Sequence, residues 1–525
     1  MNVASSPFRW RWFVATALLA PVGVGVFVGC GTNSAPPPPP LTQSALASED
    51  VSEQVHGFCG TACHGYPRPE SFPRRYWRKE VERGFRFFEV SGKSVKVPSL
   101  DSVVRYYESR APEELAAPVW KEPSHPLGVR FERVGYPGPA VQQKFAVSNV
   151  NLVRLPPAGQ KSDPKGPLDI LACDMQNGLV MLLRPYEPKP EWKVLAHVSH
   201  PAHAEVLDLD GDGILDVVVA NLGSFPPTDL RCGSVVWLRG RPDGSFTPHT
   251  LLDKVGRVAD VQAADFRGTG KLDLVVGVFG WQTVGELLFL ENQTTDWDKP
   301  KFVPRVLDNR HGTIHVPVAD LNGDGKPDFV ALFAQEHEAV VAFINEGDGK
   351  FRPQTLYQAS DPSYGSSGIQ LVDLTGSGRL DVLYTNGDIL DDPFLFKPYH
   401  SIQWLENKGD LKFEHHPITP MFGVHRAVAA PITGSGRKDV VACSFLPHDK
   451  FTDRARRNAA AIVVLEQVAP GQFERHVLST VDADHCTCAV GDLFGTGRQD
   501  IVVGNFSSVA TDHPVTIWKN LGRAP

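Results

Sequence analysis

The stretch DLDGDGILDVVVA, from Asp208 to Ala220, joins an acidic, glycine-containing loop directly to an apolar strand. A second clear copy, DLNGDGKPDFVAL, begins at Asp320. Four weaker copies begin at Asp265, Asp373, Pro431 and Asp492. The aspartates that close the six copies recur every 53 to 61 residues and are Asp216, Asp273, Asp328, Asp381, Asp439 and Asp500. A period of this size, with no long helical pattern inside it, predicts one four-stranded propeller blade per copy.

A seventh, more degraded copy precedes the others. The stretch PLDILACDMQNGLVMLL places Asp169 47 residues before Asp216. One further strand, Val515 to Trp518, follows the last copy, and a strand-like run, Phe145 to Leu155, precedes the first. Such ends would let the ring close within a shared blade, which leaves no free sheet edge. We therefore expect a mainly β chain with a seven-bladed β-propeller over residues 143–522.

Composition limits the other possibilities. The chain has 525 residues and is 42% apolar, which suits a propeller with a small additional domain. Its net charge of −8 and the lack of a basic stripe across the repeats argue against nucleic-acid binding. The sequence contains no nucleophile elbow, phosphate loop or His-Glu-x-x-His zinc motif, so no catalytic residue is predicted and enzymatic activity stays open.

The first thirty residues predict export. Arg9 and Arg11 precede an apolar run, Phe13 to Val28, that is short for a membrane span. The ending Phe27-Val28-Gly29-Cys30 resembles a bacterial lipobox, which would make Cys30 the lipidated first residue of an envelope or periplasmic lipoprotein. A plain cleaved signal and an uncleaved anchor are the alternatives. Residues 31–50, with five consecutive prolines, predict an extended tether, so the membrane would be reached only through the N-terminal lipid.

A second chemical signal is the sequence Cys59-Gly-Thr-Ala-Cys63-His64. Two cysteines followed by histidine suit covalent attachment of haem c, with the histidine as an axial ligand. Three residues separate the cysteines here, whereas the usual motif has two. A Cys59–Cys63 disulfide, and a metal site that includes His56, are the alternatives.

Residues 51–118 resemble the small c-type cytochrome modules that precede FG-GAP or VCBS-like repeats in some exported bacterial proteins. The resemblance depends mainly on the Cys-Cys-His triplet, and it implies an electron-transfer module. Helices are predicted near residues 74–88 and 100–109, with aromatic side chains that could pack a macrocycle, and residues 119–142 are predicted to be a linker. His56 and His125 are both open as the sixth iron ligand. Basic residues outnumber acidic ones between Arg68 and Glu89, which would favour an acidic redox partner or simply form a solvated helix.

Two repeat loops carry enough oxygen donors for calcium. In the first loop, carboxylates at positions 1, 3, 5 and 9 could converge on one cation together with a backbone carbonyl. This pattern resembles the calcium loops of integrin-type FG-GAP propellers. The predicted ligands are Asp208, Asp210, Asp212, Ile214 and Asp216 in one loop and Asp320, Asn322, Asp324, Lys326 and Asp328 in the other. The other four loops lack carboxylates at positions 3 and 5, so calcium would stiffen the scaffold, and metal-free turns are the alternative.

A third candidate site lies five residues before each loop. His203, Asp260, His315 and Arg426 occupy this position in their blades, with Gly368 and Thr487 as further equivalents. The innermost strand of a blade lines the central channel, so these side chains could form a polar ring. The ring could bind a ligand, a metal or the haem module, and ordinary hydrogen-bonded surface histidines are the alternative.

Three classes of function follow from these motifs. The first is an exported haem c protein that transfers electrons, with the calcium-stabilised propeller as a docking or binding platform. The second is a non-haem, calcium-dependent binding or adhesion propeller. The third is an oxidoreductase that acts at the central channel. The cysteine and histidine triplet favours the first class, and the repeats alone favour the second.

Overall fold

Each repeat folds into an antiparallel sheet, and seven such sheets surround a central channel. Six of the sheets have four strands, and the remaining one has five because its first strand is divided into two short strands. This computed structural model describes residues 52–60, 65–157, 159, 163, 165–390, 394–506 and 512–523. The predicted export segment with Cys30, the tether, and Cys63 and His64 lie outside the described residues.

The helices precede the strands in the chain. Three α-helices are α1 (Ser52–Cys59), α2 (Trp77–Ser91) and α3 (Leu100–Arg110), and two 3₁₀ turns span Pro69–Ser71 and Arg74–Tyr76. The two helices predicted from sequence are therefore present as α2 and α3. The Ser99 hydroxyl caps α3 by accepting from the Ser102 backbone N–H at 3.2 Å. Gly92 ends α2 with a φ of 67°, a left-handed conformation that favours glycine.

The strands of the first half of the ring alternate with short loops. They are β1 (Val129–Val134), β2 (Val147–Val153), β3 (Asp169–Asp174), β4 (Leu179–Leu183), β5 (Lys193–His197), β6 (Pro201–Leu207), β7 (Asp216–Asn221), β8 (Gly233–Gly240), β9 (Phe246–Val255), β10 (Val258–Ala264), β11 (Asp273–Val278), β12 (Glu286–Asn292) and β13 (Phe302–Asp308).

The second half continues the same pattern. Its strands are β14 (Thr313–His315), β15 (Val318–Ala319), β16 (Asp328–Phe333), β17 (Ala339–Gly347), β18 (Lys350–Gln358), β19 (Ser366–Val372), β20 (Asp381–Asn386), β21 (Ser401–Asn407), β22 (Phe413–Pro420), β23 (Val424–Ala430), β24 (Asp439–Ser444), β25 (Ile462–Ala469), β26 (Gln472–Ser479), β27 (Cys488–Gly491), β28 (Asp500–Gly504) and β29 (Val515–Arg523).

Blades 1 to 6 take their strands in chain order, beginning with β2, β6, β10, β14, β19 and β23. Blade 7 has the order β1-β29-β28-β27, so an N-terminal strand completes a blade built from the C-terminus. This corrects two predictions. The closing strand is β1, which lies inside the segment predicted as a linker and pairs with β29. The run Phe145 to Leu155 instead contributes β2, the first strand of blade 1.

The hydrophobic core lies between adjacent blades. The second strand of blades 1 to 6 is buried at all six of its residues, because each face of that strand packs against a neighbouring blade. Valine is the commonest residue in these strands, and such continuous apolar runs are expected where both faces of a sheet are covered. The first strands of successive blades contact one another around the ring, so they line the channel.

The antiparallel order gives the ring two distinct faces. The repeat loops, which connect first to second strands, lie on one face together with the hairpins between third and fourth strands. We call this the repeat-loop face. The connections between second and third strands, and those between blades, lie on the opposite face.

Candidate functional site

The aspartate that closes each repeat loop is buried and accepts hydrogen bonds from the backbone. Asp381, at the start of β20, accepts from Leu374 N–H at 3.1 Å and from Asn407 N–H at 2.8 Å, one on each oxygen. Leu374 belongs to the loop and Asn407 ends β21, so one carboxylate joins three segments of the blade. The same arrangement is found at Asp216, Asp328, Asp439 and Asp500.

The first repeat loop gathers three carboxylates at one point. Oxygens of Asp208, Asp210 and Asp216 lie within 4.8 Å of one another. The Asp210 side chain is 1% exposed and pairs with Arg239, whose Nη2 lies 2.6 Å from Oδ2. Burial, and in addition the nearby Asp210, raise the pKa of Asp216 to about 6. Three carboxylates against one guanidinium leave two negative charges, which fits a divalent cation with a preference for oxygen ligands such as Ca²⁺.

The remaining predicted donors of this loop are placed differently. Asp212 is exposed and does not belong to the three-carboxylate cluster. Its Oδ1 instead accepts from the backbone N–H of Ile214 at 2.8 Å. Asp208 holds the turn, because its two oxygens accept from Gly211 N–H at 2.8 Å and Gly213 N–H at 2.9 Å.

The second predicted calcium loop has the same backbone hydrogen bonds as the first but carries less negative charge. Asp320 accepts from the amides of its turn, as Asp208 does, while Asp328 accepts from Leu321 and Asn345. Lys326 Nζ lies 3.2 Å from Asp324 Oδ2 and neutralises that carboxylate, and Asn322 contributes an uncharged oxygen. Among the described residues, no three carboxylates of this loop come within 4.8 Å of one another. We therefore rank the Asp208 loop as the stronger cation site.

The channel residues predicted from sequence come together. His203 Nδ1 lies 2.6 Å from Asp260 Oδ1, and His315 Nδ1 lies 3.8 Å from Asp260 Oδ2. Arg426 Nη1 lies 3.3 Å from His315 Nε2. Four side chains from blades 2, 3, 4 and 6 thus form one continuous polar network, which we call the channel network.

A repeated β-bulge places these residues. The pairing of the first strand with the second shifts register just before His203, Asp260, His315, Gly368 and Arg426. A bulge changes the direction of the side chains that follow it, so the same irregularity in each blade explains why equivalent positions converge.

A glycine in blade 5 gives Arg426 room to reach across. A Cβ at Gly368 would lie 3.3 Å from Arg426 Cδ and 3.0 Å from the His425 carbonyl oxygen. Arg426 Nη1 also donates to the Ile369 carbonyl at 2.8 Å. Gly368 therefore acts as the open position over which the guanidinium extends from blade 6 toward blade 4.

Charge is balanced within the channel network. Burial lowers the pKa of His203, but the Asp260 and Glu205 carboxylates outweigh burial and raise it to about 10. Burial would raise the pKa of Asp260, yet His203 and His315 hold it well below its usual range. Burial, and after it the Arg426 charge, lower the pKa of His315 to about 4. His203 is thus cationic and His315 neutral at pH 7.

The sequence reasoning missed one member of this network. Glu205 Oε1 lies 3.2 Å from His203 Nε2 and accepts from Gln262 Nε2 at 2.7 Å. Glu205 is two residues after His203 on β6, so strand alternation places both on the same side. The spacing of two residues between His203 and Glu205 was the sequence signal that could have identified Glu205.

Cys59 is the only member of the predicted haem triplet among the described residues. It is the last residue of α1, and burial, opposed by a hydrogen bond with Tyr107, raises the pKa of its thiol to about 11. The aromatic side chains nearby pack on one another: Trp77 and Tyr107 stack at 4.0 Å between ring centroids, and His56 and Tyr66 at 3.9 Å. The described side chains of α1 to α3 therefore fit a packed aromatic core, and they do not by themselves define a haem pocket.

The helical segment 52–111, which we call the helical module, contacts blades 4 and 5 of the propeller. Asp361, in the connection between β18 and β19, is 4% exposed and accepts from the Arg68 backbone N–H at 2.9 Å and from the Ser71 hydroxyl. Lys397, 1% exposed, places Nζ 5.9 Å from the Phe72 ring centroid. Both propeller residues belong to connections opposite the repeat-loop face, which we therefore call the module face.

Basic side chains of the helical module are engaged in ion pairs. Arg74 pairs with Glu113 and Arg75 with Glu114. Arg78 pairs with Glu82 at 3.9 Å and Asp101 at 3.5 Å, and Arg83 pairs with Glu80 at 2.6 Å. These contacts favour a solvated, internally paired helix over a free cationic surface. The described residues include no helix that combines the length and the apolar character needed to cross a bilayer.

Seven antiparallel blades with these loops define a β-propeller that carries FG-GAP-like repeats. The FG-GAP-like repeat family matches residues 195–276 and 303–384, which include the loops at Asp208, Asp265, Asp320 and Asp373. A T-cell immunomodulatory protein homolog of Plasmodium yoelii yoelii is 24% identical over 223 residues. The aligned part is 38% of this chain and 32% of that protein, so the chain spans about a third of the relative's length.

Proposed function

We propose that this chain is an exported binding protein in which a calcium-stabilised propeller serves as the platform for its helical module and for a partner. The observation that carries the proposal is the contact between module and propeller. Asp361 is buried, and it is held by two donors of the module, Arg68 N–H and the Ser71 hydroxyl. The binding class of the fold and the printed name of the Plasmodium relative are consistent with binding rather than catalysis.

Calcium is assigned to the cluster of Asp208, Asp210 and Asp216. A bound Ca²⁺ would be held by their carboxylate oxygens and would offset the negative charge that burial concentrates there. It would stiffen the loop between β6 and β7 and leave the channel unchanged. No chemical step is assigned to the ion.

Isothermal titration calorimetry with Ca²⁺ tests this assignment. We expect the wild-type chain to bind Ca²⁺ and Asp210→Asn to lose one equivalent. Asp265→Asn is the matched control, because Asp265 holds the equivalent turn in a loop where Arg267 and Thr269 replace the carboxylates. Equal Ca²⁺ binding by wild type and Asp210→Asn would remove calcium from this loop.

A deletion of the helical module tests whether the propeller is the platform that binds this module. The isolated propeller should retain its strand signature by circular dichroism, and the helical module added in trans should rebind it. The Asp361→Ala propeller should bind the module at least tenfold more weakly, since two hydrogen bonds to a buried carboxylate are lost. Unchanged affinity in this variant would show that the contact at Asp361 does not hold the module.

The second candidate function is electron transfer through haem c bound to the helical module. The sequence Cys59-x-x-x-Cys63-His64 favours it, and the placement of Cys59 at the end of α1, beside the aromatic core, is compatible with a buried ligand side. The cysteines would hold the haem by thioethers, and His64 would be an axial ligand. An envelope location, through lipidated Cys30, would place the module at the membrane surface, where it could meet redox partners.

A reduced pyridine haemochrome spectrum decides between the two candidates. Protein matured in a host with cytochrome c assembly is compared with Cys59→Ser, Cys63→Ser and His64→Ala. Cys232→Ser is the control, since Cys232 is a half-buried cysteine of the propeller. Covalent haem that depends on the triplet alone would establish electron transfer, whereas a Cys59–Cys63 disulfide without haem would leave the binding function.

A further inference from the structure

Three side chains that offer metal-binding atoms meet on the module face of blade 4. His311 lies in the connection between β13 and β14, and Glu336 and His337 lie in the turn between β16 and β17. One ligand atom from each lies within 4.8 Å of the other two. His311 Nε2 and Glu336 Oε2 are 3.0 Å apart, and the two imidazole centroids are 4.9 Å apart. We call this group the blade-4 triad.

The separations suit a small transition-metal ion. Zn²⁺ binds imidazole nitrogen and carboxylate oxygen at about 2.0–2.1 Å, so ligand atoms of a tetrahedral site lie roughly 3.3 Å apart. The His311 to Glu336 distance is already close to this value, and the third atom needs a shift of about 1.5 Å at most.

The turn that carries two members of the triad has an unusual backbone. Neighbouring residues of an extended chain point in opposite directions, yet Glu336 and His337 both face His311. Gln335 and Glu338, on either side of them, have φ values of 56° and 42°. Residues other than glycine seldom adopt this left-handed conformation, which here directs two consecutive side chains toward one point.

His337 has a ring nitrogen that is available to a metal ion. Its Nε2 is buried and makes no hydrogen bond to any described residue. A buried polar nitrogen without a partner costs about 1–3 kcal/mol, and a metal ion bound at this atom would offset that cost. The nearby Arg310 pairs with Asp308, at 2.7 Å between Nη2 and Oδ2, and does not donate to His337 Nε2.

We propose that His311, Glu336 and His337 bind one divalent transition-metal ion of the zinc class. Two imidazole nitrogens with one carboxylate favour Zn²⁺ over Ca²⁺, which prefers oxygen ligands. Three protein ligands leave a fourth position for water or for a ligand group from a partner on the module face. The site is separate from the calcium cluster, which lies on the repeat-loop face.

The test is metal binding by the full chain after chelation and dialysis. Zn²⁺ is titrated by calorimetry, and bound Co²⁺ is followed by its visible d–d absorption. We expect His337→Ala and His311→Ala each to lose one tight equivalent of Zn²⁺. His249→Ala should retain it, because His249 Nε2 is also buried without a hydrogen bond but belongs to no three-donor cluster of the described chain.

Two measurements keep the result decisive if a variant folds poorly. Far-UV circular dichroism and the calcium titration report the integrity of each variant, and Glu336→Gln preserves side-chain shape while weakening the carboxylate ligand. An intense tetrahedral Co²⁺ spectrum in wild type that is lost in Glu336→Gln would support the site. Equal Zn²⁺ stoichiometry in wild type and in folded His311→Ala and Glu336→Gln, or an octahedral Co²⁺ spectrum in wild type, would overturn it.

Discussion

Replacing the closing aspartate of blade 5 should destabilise the propeller without any involvement of metal. The repeat loop before Asp381 has Thr375 and Ser377 where calcium ligands would stand, so cation binding does not complicate the measurement. Asp381→Ala removes both acceptors that the carboxylate offers to Leu374 N–H and Asn407 N–H. Asp381→Asn retains one acceptor oxygen and presents an amide N–H to the other donor.

The magnitude follows from the two orphaned amides. A buried N–H left without an acceptor costs about 1–3 kcal/mol, so two cost about 2–6 kcal/mol. Burial raises the pKa of Asp381, which shows that holding its charge in the interior is itself unfavourable. Removing that charge offsets part of the loss, and we expect about 3 kcal/mol for Asp381→Ala and about half of it for Asp381→Asn.

Urea unfolding followed by tryptophan fluorescence gives the change in free energy by linear extrapolation. Asp373→Ala is the control, because Asp373 accepts from Gly376, Ser377 and Gly378, whose backbone lies in exposed residues that water can solvate. We expect a loss of about 1 kcal/mol for this control. If Asp381→Ala lowered the free energy of unfolding by no more than Asp373→Ala does, the hydrogen bonds of the closing aspartate would not be what stabilises the blade.

Three further predictions concern the other sites. The pKa of His203 is raised to about 10, so the stability that its charged form contributes is complete below pH 6.5 and is lost as pH rises through 10, by up to about 5 kcal/mol. Asp260→Asn should flatten this dependence of the urea midpoint on pH. Chelation of Ca²⁺ from 100-fold excess over Kd should lower stability by about 2.7 kcal/mol in wild type and not in Asp210→Asn. Asp361→Ala should accelerate hydrogen exchange in α1 to α3 about tenfold or more while leaving β20 protected.

The period of the repeats was enough to predict the propeller and the number of blades. Each copy carries its own apolar second strand, and a sequence pattern that repeats seven times averages out local ambiguity. The closing strand β1 could not be placed in this way. Val129–Val134 belongs to no copy of the repeat, and its partner β29 lies at the other end of the chain, so only closure of the ring identifies it as a strand.

The site was predictable in part, for a physical reason. The convergence of His203, Asp260, His315 and Arg426 follows from equal positions in equal blades, which a sequence displays. The hydrogen bonds that Asp216 accepts from the backbone do not follow in this way. A carboxylate at position 9 of the loop suits a cation and suits two backbone amides equally well, and the amide donors Leu209 and Gly240 are fixed only by the folded blade.

The two faces of the ring differ in how strongly their loops are constrained, and this difference follows from the structure of a blade. The repeat pattern fixes the sequence of the loops on the repeat-loop face, because each loop must end in a buried aspartate that connects three segments of its blade by hydrogen bonds. The connections of the module face carry no such requirement, so they differ freely in length and composition from blade to blade. Asp361, Lys397 and the blade-4 triad all lie in those connections. Residues on this face can therefore change without loss of the hydrogen bonds, made by the closing aspartates, that hold the segments of each blade together.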